Sequence, residues 1–583
     1  CKVDQEKINS LHLPDNIIDM MLLRTKGLDE EIEQLLKISA VIGKEFKLYL
    51  LYHLIKQDDT AILQLIEQAV QKNLLEYSLS DRSKVQFVHD RIRETFLVRI
   101  EEEERREYHL KIARLLQEQY RGNEEKILFE LTYHLIEGRD EEDGLKYALR
   151  AGKKAKTTYA YHNAIAYYIY AKKILNRYNE RSVEYLSLLE NLGESFRLVG
   201  EFESSISVFN ECITLISENK KEDKSRLLSK IGETLFEKGE TEKSFDMLEK
   251  SVRLSGINIP RNFILLHIAL LVEFTLQLLH TAFPRVFIRK TYREEKNNSF
   301  ALRALNRLYE GYAFKNPKKG LYCHLKSLNI AESLGPCSDL AHSYVLGGII
   351  WSLISWRSRA LRDSSLGLKM SLLISDRAQE GFAYLGLSIV FLMLNRTQEG
   401  LENSRKAIQL LKGMGEYWEL GVAYVFRIQN CLVTGRLQEA LQVSEDFISL
   451  AKELNALQNL GWALMLRGKT LSHLGDITER TIKEIKESSI LMERIEDKAN
   501  FLSSLTILSA AYLRKEEYLK AISTIEKAVE LFPSHYSNGA WNQDFFPLGA
   551  QVYLESVKNT IELTSSKKKE YLKKAAWFCK KSL

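Results

Sequence analysis

Proline is scarce in this sequence: it occurs 7 times in 583 residues, whereas about 5% of the residues in average proteins are proline. Because proline removes a backbone donor and clashes with the preceding helical turn, a long chain that avoids it is predicted to be mostly helical. The apolar fraction of 45% and the charged fraction of 28% indicate a packed globular chain. These values exclude a large all-β protein, a collagen-like chain and a proline-rich scaffold.

Cysteine pairs and a strong net charge are also missing. The cysteines lie far apart and form no CxxC pair, which is typical of a reducing compartment and argues against a zinc site or a disulfide framework. They are Cys1, Cys212, Cys323, Cys337, Cys431 and Cys579. The net charge of +5 is too small to mark a nucleic-acid-binding surface. We therefore predict a cytoplasmic chain and expect neither a nucleic-acid partner nor a metal.

Catalytic signatures are absent as well. A phosphate-binding loop needs GxxxxGK[ST], a glycine-rich turn whose amides surround phosphate. Gly43-Lys44 continues with glutamate instead of serine or threonine, and the pair Gly413 and Gly415 has no further glycines after it. The sequence also shows no nucleophile and base at a recognisable catalytic spacing. We expect no enzyme activity and no cofactor within this chain.

One long apolar run, residues 263–283, has the length of a membrane-spanning helix. Polar residues interrupt it, and an acidic residue such as Glu273 near the middle costs about 2.5–3.5 kcal/mol on insertion. We therefore expect no transmembrane span and predict a helix that is buried between its neighbours. The alternative is a helix that docks on a membrane surface or on a partner. Its basic flank would be Arg285, Arg289 and Lys290.

A pattern of about 40 residues recurs along the chain. In its clearest copy, residues 498–533, the small residues Ala521 and Ala528 allow two helices to approach, and Tyr512 and Ile525 fill the space beside them. This copy resembles the tetratricopeptide repeat, in which Leu-Gly is followed by Tyr, Ala, Phe, Ala and a closing Pro. Glycines recur in the same frame at 152, 193 and 232, at intervals of 41 and 39 residues.

The resemblance to tetratricopeptide repeats implies stacked helix pairs that form a right-handed superhelix. Each pair buries its apolar face only against its neighbours. At about 40 residues per pair, residues 145–583 have room for about ten or eleven pairs. The concave inner face of such an array is where a protein or peptide partner is expected to bind.

The first 100 residues have a different pattern. Helices are predicted on both sides of Lys26-Gly27, then near Lys47–Ile55 and Thr60–Lys72. Two β-like runs follow, Leu74–Leu79 and Lys84–Val88, and a further helix begins at about Asp90. Helices followed by a β-hairpin predict a small winged-helix module.

This N-terminal region resembles the segment that follows the nucleotide-binding core in STAND-class signalling ATPases. The resemblance covers most of residues 12–175 and is carried by the strings LPDNIIDMMLLRTKGLDEEIEQLLKISAVIGKEF, VQFVHDRIRETFL, ERREYHLKIARLL and LTYHLIEGRDEEDGLKYALRAGKKA. It implies that His89, in the motif Val88-His89-Asp90, reports on the β-phosphate of bound ADP, and that Asp90 caps the following helix. A histidine that only caps a strand end is the simpler interpretation.

Two further groups of side chains are interpreted as structural. His134 and Glu137 have the spacing of two metal ligands on one helix face, but no third ligand lies near them, so a surface pair without metal is predicted. Trp351, Trp356 and Tyr344 are predicted to pack the array instead of binding a ligand.

The sequence predicts a mostly all-α chain, in which a tetratricopeptide-like solenoid follows a winged-helix module with a short β-hairpin. The predicted segments are a winged-helix module at 1–100, a helical bridge at 101–144, tetratricopeptide-like repeats at 145–255, divergent helical repeats with the apolar insertion at 256–345, and further tetratricopeptide-like repeats at 346–583. The chain begins at Cys1 instead of Met. We therefore expect a piece of a longer protein, although a processed terminus is the alternative.

The resemblance implies a regulatory region of a bacterial signal-transduction ATPase. Its array would sense a partner or ligand and relay that event to an ATPase core before Cys1, where ATP or ADP binds, and to an output domain. A stand-alone tetratricopeptide scaffold without nucleotide coupling is the first alternative. A DNA-binding regulator is the second, and it is disfavoured because the helix at Asp90 mixes acidic and basic residues.

Overall fold

The chain forms two compact units, Cys1–Leu188 and Leu189–Leu583. The computed structural model describes residues 25, 27–55, 57–78, 81, 83–178, 183–217, 219–292, 298–454, 456–495, 497–531, 544–559 and 563–582. Across these residues it contains 28 α-helices and three short strands. The mostly helical fold predicted from the scarcity of proline is confirmed.

The N-terminal unit combines helices with a small sheet. Its helices are α1 (Glu30–Ile42), α2 (Leu48–Leu54), α3 (Asp59–Gln71), α4 (Asp90–Val98), α5 (Glu102–Gln119), α6 (Leu128–Glu137), α7 (Glu141–Thr157) and α8 (Tyr161–Arg177). Its strands are β1 (Glu45–Lys47), β2 (Leu75–Tyr77) and β3 (Lys84–Phe87). The predicted helix before Gly27 lies outside the described residues.

The three strands form an antiparallel sheet in the order β1-β3-β2. Phe46 pairs with Val85 on one side of β3, and Leu75 pairs with Phe87 on the other. These apolar side chains are buried in one core with α1 and with Phe96 of α4. The sequence predicted the hairpin of β2 and β3 but missed β1, so the sheet has one more strand than expected.

Helix pairs make up the rest of the chain. They are α9 (Val183–Leu198) with α10 (Phe202–Leu215), α11 (Lys221–Lys238) with α12 (Thr241–Leu254), α15 (Asn298–Lys315) with α16 (Pro317–Leu334), α17 (Ser338–Leu353) with α18 (Arg357–Leu373), α19 (Arg377–Met393) with α20 (Thr397–Leu411), α21 (Tyr417–Val433) with α22 (Leu437–Glu453), α23 (Leu457–Leu474) with α24 (Glu479–Arg494), α25 (Lys498–Arg514) with α26 (Tyr518–Leu531), and α27 (Phe545–Asn559) with α28 (Ser565–Ser582). From α17 to α25 the first helices begin at intervals of 39 to 41 residues. The repeat length read from the sequence is confirmed.

The recurring glycines are the points where the two helices of a pair touch. A Cβ atom on Gly193 would lie 2.7 Å from the Phe209 ring, and one on Gly232 would lie 2.6 Å from Leu248 Cγ. Real Cβ atoms do not approach so closely, so these positions select glycine for close approach. Ala521 and Ala528 do the same in α26, where both are fully buried.

Successive pairs stack through the second helix of one pair and the first helix of the next, and their first helices also contact one another. Within the C-terminal unit α17 packs on α19, α19 on α21, α21 on α23, and α23 on α25. First helices three pairs apart are joined by a hydrogen bond between Arg307 and Glu419, which places the first helices on the inner surface of the array. The predicted solenoid of helix pairs is confirmed.

The apolar run forms α13 (Phe263–Ala282), an additional helix between the pairs, followed by the short α14 (Pro284–Phe287). Among the described residues it is the one helix long and apolar enough to cross a membrane, judged by length and composition alone. The prediction that it is buried between neighbours is wrong, because only 22% of its apolar window is buried. It packs on α16 along one side, and the buried side is the polar one.

Candidate partner-binding surface

The inner surface of the C-terminal unit carries a group of charged and aromatic side chains that we call the inner cluster. Its members come from the first helices α9, α11, α15 and α21 and from the residue before α21. They are Glu194, Arg197, Phe236, Glu237, Arg307, Glu310, Glu416, Trp418 and Glu419. Glu194 and Arg197 are three residues apart, as are Arg307 and Glu310, so each of these two pairs lies on one side of its helix.

Arg197 joins α9 to α11 within this cluster. Its guanidinium donates to Glu194 Oε1 at 2.8 Å and to Glu237 Oε1 at 2.6 Å. The three side chains are only 8% to 14% exposed. The hydrogen bonds of this buried guanidinium to both glutamates fix the two helices to one another.

Arg307 joins repeats that are far apart in the chain. It donates to Glu310 Oε2 at 2.7 Å and to Glu419 Oε1 at 3.3 Å, although Glu419 lies 112 residues further along the sequence. Its guanidinium also lies over the rings of Phe236 and Trp418, at 5.1 and 5.5 Å from their centroids. The C-terminal unit therefore curves so tightly that first helices three pairs apart are in contact.

The carboxyl groups of the inner cluster have unusual pKa values. Burial raises the pKa of Glu237 to about 8, and the attraction of Arg197 offsets only part of this effect. Burial and repulsion from Glu419 raise the pKa of Glu416 to about 7. Burial acts in the same direction on Glu310, but Arg307 and a hydrogen bond from His342 outweigh it and lower the pKa of that carboxyl. A cation brought close to Glu237 and Glu416 would favour their ionised forms.

Aromatic side chains extend the inner surface toward later repeats. The rings of Phe236 and Trp418 have centroids 5.6 Å apart, and those of Trp418 and Trp462 are 6.4 Å apart. The indole of Trp462 donates to Asp497 Oδ2 at 3.2 Å. Both ring pairs are edge-on. Tryptophan and arginine side chains are enriched among the energetically important residues of protein interfaces.

A separate open depression of about 430 Å³ lies between α20, α21 and the start of α22. Its lining is Gln398, Glu399, Leu401, Glu402, Arg405, Arg427 and Arg436. Arg427 donates to the Leu401 carbonyl and to Glu439, and Arg436 pairs with Glu439. Because these guanidinium groups already have partners and the lining is mostly polar, the depression is a weaker candidate than the inner cluster.

His89, the nucleotide-sensing residue implied by the resemblance, precedes α4. Its Nδ1 accepts a hydrogen bond from the Arg91 amide at 3.2 Å, which makes His89 the N-cap of the helix. A neutral ring that accepts at Nδ1 carries its proton on Nε2. The expectation that Asp90 is the cap is wrong, because Asp90 is the first residue of the helix and pairs with Lys44 at 3.2 Å.

His134 contacts another histidine instead of Glu137. Its Nδ1 lies 2.9 Å from Nδ1 of His109, and both rings are buried. Burial lowers the pKa of His109 to about 4 and that of His134 to about 3, so both rings are neutral at pH 7. Glu137 is exposed, and no group of metal-ligating side chains is found among the described residues.

The predicted aromatic packing is also present. Trp351 and Tyr344 are buried, and the Trp351 indole donates to Asp363 Oδ2 at 2.8 Å. Trp356 stacks edge-on against Trp351 with a centroid distance of 5.6 Å. These rings stabilise the junction of α17 and α18, as expected.

A family comparison agrees with this packing. Residues 502–535 match the tetratricopeptide repeat model. The chain therefore contains a tetratricopeptide repeat. The matched segment holds Tyr512, Ala521, Ile525 and Ala528, the buried residues of the α25–α26 contact. The expected closing residue, Pro533, lies outside the described residues.

Several solved structures are similar to this chain at low identity. One is the STAND protein with a tetratricopeptide repeat sensor from Pyrococcus horikoshii, with 15% identity, a TM-score of 0.35, and coverage of 84% of this chain and 67% of that one. Yeast Tom70 has 12% identity and a TM-score of 0.34 over 79% and 99% of the two chains. Rap protein in complex with competence and sporulation factor has 11% identity and a TM-score of 0.36 over 67% and 97%. A search of curated proteins finds no match.

Proposed function

We propose that this chain is the regulatory and protein-interaction region of a signal-transduction ATPase whose ATPase core and output domain lie outside it. The observation that carries the proposal is the contact of Arg307 with Glu419 across three repeats. A partner that binds the inner surface must replace such contacts, and the curvature of the array then changes. Binding is thereby converted into a change of shape, which a sensor requires.

The inner cluster favours a peptide or protein partner that presents a basic side chain. A lysine or arginine placed near Glu237 and Glu416 would stabilise carboxylates that burial now holds at raised pKa values. Trp418 and Trp462 would pack against the apolar part of such a side chain. Neither a cofactor nor a catalytic role is proposed for this chain itself.

The N-terminal unit supplies the proposed link to nucleotide. Its element order, α1-β1-α2-α3-β2-β3, and its sheet order, β1-β3-β2, support a winged-helix assignment. Because His89 accepts at Nδ1, its Nε2 is the nitrogen that would donate to the β-phosphate of ADP in an upstream core. A displaced winged-helix module would withdraw this donor and release ADP.

The first test is the reading frame upstream of Cys1. The proposal requires a GxxxxGK[ST] loop within roughly 300 residues of it, as expected for one or two domains. A full-length frame without such a loop contradicts the proposal and leaves the nucleotide-independent scaffold.

The second test measures ADP release from the full-length protein. His89→Ala is expected to speed ADP release at least tenfold, because a charge-assisted bond to phosphate is lost. His53→Ala is the matched control, since His53 is also a histidine of the N-terminal unit and is exposed on α2. Equal release rates for both variants would reject the sensor role. Peptide binding that is unaffected by ATP and ADP would favour the scaffold.

A further inference from the structure

The helix α13 packs against the repeat array with its polar side. Asn329 Nδ2 donates to Glu273 Oε2 at 2.9 Å, and Lys326 pairs with Glu273 Oε1 at 2.8 Å. Gln277 Nε2 donates to Glu332 Oε2 at 2.9 Å, and its Oε1 accepts from Arg359 at 2.6 Å. These bonds fix the rotation of the helix about its axis.

A third polar residue of α13 belongs to the same network. His280 Nδ1 lies 2.6 Å from Glu332 Oε2. Glu273, Gln277 and His280 are each no more than 6% exposed. Their spacing of four and three residues places them on one side of the helix, and this side faces α16.

The opposite side of α13 is apolar and faces solvent. Eight of its large apolar side chains are between 39% and 68% exposed. They are Phe263, Ile264, Leu265, Ile268, Leu271, Val272, Leu278 and Leu279. Phe283 and Val286 continue this surface at 56% and 77% exposure. A contiguous apolar surface of this kind marks an interaction site.

Basic residues predominate in the sequence around α13. From residue 257 to residue 292 the only acidic residue is Glu273, which is buried against α16. The exposed cations near the ends of the helix form what we call the basic rim. They are Arg261, Arg285, Arg289, Lys290 and Lys318. An apolar helix side flanked by cations is complementary to a bilayer with anionic headgroups.

We propose that α13 is a membrane-surface helix, which lies in the plane of an anionic lipid bilayer and inserts its apolar side among the acyl chains. A spanning orientation is disfavoured because Glu273, Gln277 and His280 would lose their partners in hydrocarbon. A protein partner is less favoured because exposed cations lie near both ends of the apolar face, where they match the charge of anionic headgroups. This inference does not depend on the proposed link to an ATPase.

The test is co-sedimentation of the 583-residue chain with lipid vesicles. Vesicles with about 30% phosphatidylserine should bind the protein, and pure phosphatidylcholine should bind it at least tenfold less, because the cations of the basic rim each favour an anionic surface. Raising salt from about 0.1 to about 0.5 M should weaken binding, since screening shortens the range of the attraction.

Two variants of the α13 region and one control variant test whether α13 is the part of the chain that binds vesicles. Leu271→Glu should reduce vesicle binding at least tenfold, because it places a charge in the centre of the apolar side. Leu519→Glu is the matched control: Leu519 on α26 is 67% exposed, as Leu271 is, and lies far from α13 in the sequence. It should bind as the unchanged chain does. The double variant Arg285→Glu with Arg289→Glu should lose binding to anionic vesicles without loss of folding.

Several results would overturn the proposal. An unchanged chain that does not sediment with anionic vesicles, or a Leu271→Glu variant that sediments equally well, excludes the membrane-surface role. Resistance to extraction at high pH would indicate a spanning helix. Concentration-dependent dimers that Leu271→Glu abolishes, without vesicle binding, would show that a second copy covers this side.

Discussion

The inner cluster and α13 both bury polar side chains, but they differ in what remains for a partner to contact. The inner cluster buries arginine and glutamate side chains against each other on the side where first helices meet, so Arg197 and Arg307 already have glutamate partners. In contrast, α13 buries its polar side and leaves apolar side chains without a covering element among the described residues. A partner on the inner surface must therefore compete with existing contacts, whereas a lipid surface at α13 only removes apolar area from water.

The largest expected effect comes from removing one charge of the inner cluster. Arg307→Leu leaves Glu310 and Glu419 buried without their cation, which costs about 3–5 kcal/mol. Urea denaturation followed by circular dichroism measures the loss. Arg480→Leu is the control, because Arg480 is 79% exposed in its pair with Glu484 and should change stability by less than about 1 kcal/mol. Equal effects of the two variants would mean that the inner cluster is not buried in solution.

On the buried side of α13, a more apolar residue should lower the stability of the fold. Gln277→Leu makes the buried side more apolar, yet it should destabilise the fold by about 1–3 kcal/mol, because Glu332 and Arg359 lose a hydrogen-bond partner. Leu271→Gln makes the exposed side more polar and should change stability by less than about 0.5 kcal/mol. Thermal denaturation of both variants is the measurement. A stabilising Gln277→Leu would show that α13 turns its other side inward.

A change of pH should alter the stability of the fold less than Arg307→Leu or Gln277→Leu does. The pKa of Glu237 is raised to about 8 when folded, above its ordinary value of 4.5, so the folded state holds a proton that the unfolded state has released. The stabilising contribution is complete below pH 4.5 and is lost as the pH rises through 8. Between pH 6 and pH 7 stability should therefore fall by about 1 kcal/mol for this group.

The comparison of the unchanged chain with Glu237→Gln isolates this carboxyl. The variant should lose most of the decline, while contributions from groups outside the inner cluster cancel in the difference. His109 and His134 act in the opposite direction, since their pKa values are lowered to about 4 and 3. Their contribution is present above the unfolded value of 6.5 and is lost as the pH falls through the folded values. Identical pH profiles for the variant and the unchanged chain would contradict a buried, protonated Glu237.

The sequence predicts local features of this fold well. Gly193 and Gly232 recur at the repeat period because each faces a large residue 16 positions later, and that spacing is visible in the chain. By contrast, β1 is only three residues long and is defined by its pairing with β3, so no local sequence pattern predicts it. The contact of Arg307 with Glu419 depends on the curvature that builds up over three repeats. The spacing of residues within one repeat does not predict that curvature.

The orientation of α13 could have been predicted from its sequence. Glu273, Gln277 and His280 are spaced by four and three residues and so share one side of a helix. The same three residues interrupt the apolar run, so their shared side is visible only when the segment is plotted as a helix. Which side would be buried still depended on Glu332 and Arg359, which lie 52 and 79 residues after His280.

A double-mutant cycle between Arg307 and Glu419 tests most directly whether the array of the C-terminal unit closes on itself through the inner cluster. Stability is measured for Arg307→Leu, Glu419→Leu, the double variant and the unchanged chain. Residues in direct contact should show a coupling energy of about 1 kcal/mol or more, although they are 112 residues apart. Additive effects, with a coupling below about 0.3 kcal/mol, would show that the two repeats do not meet and would contradict the closed array.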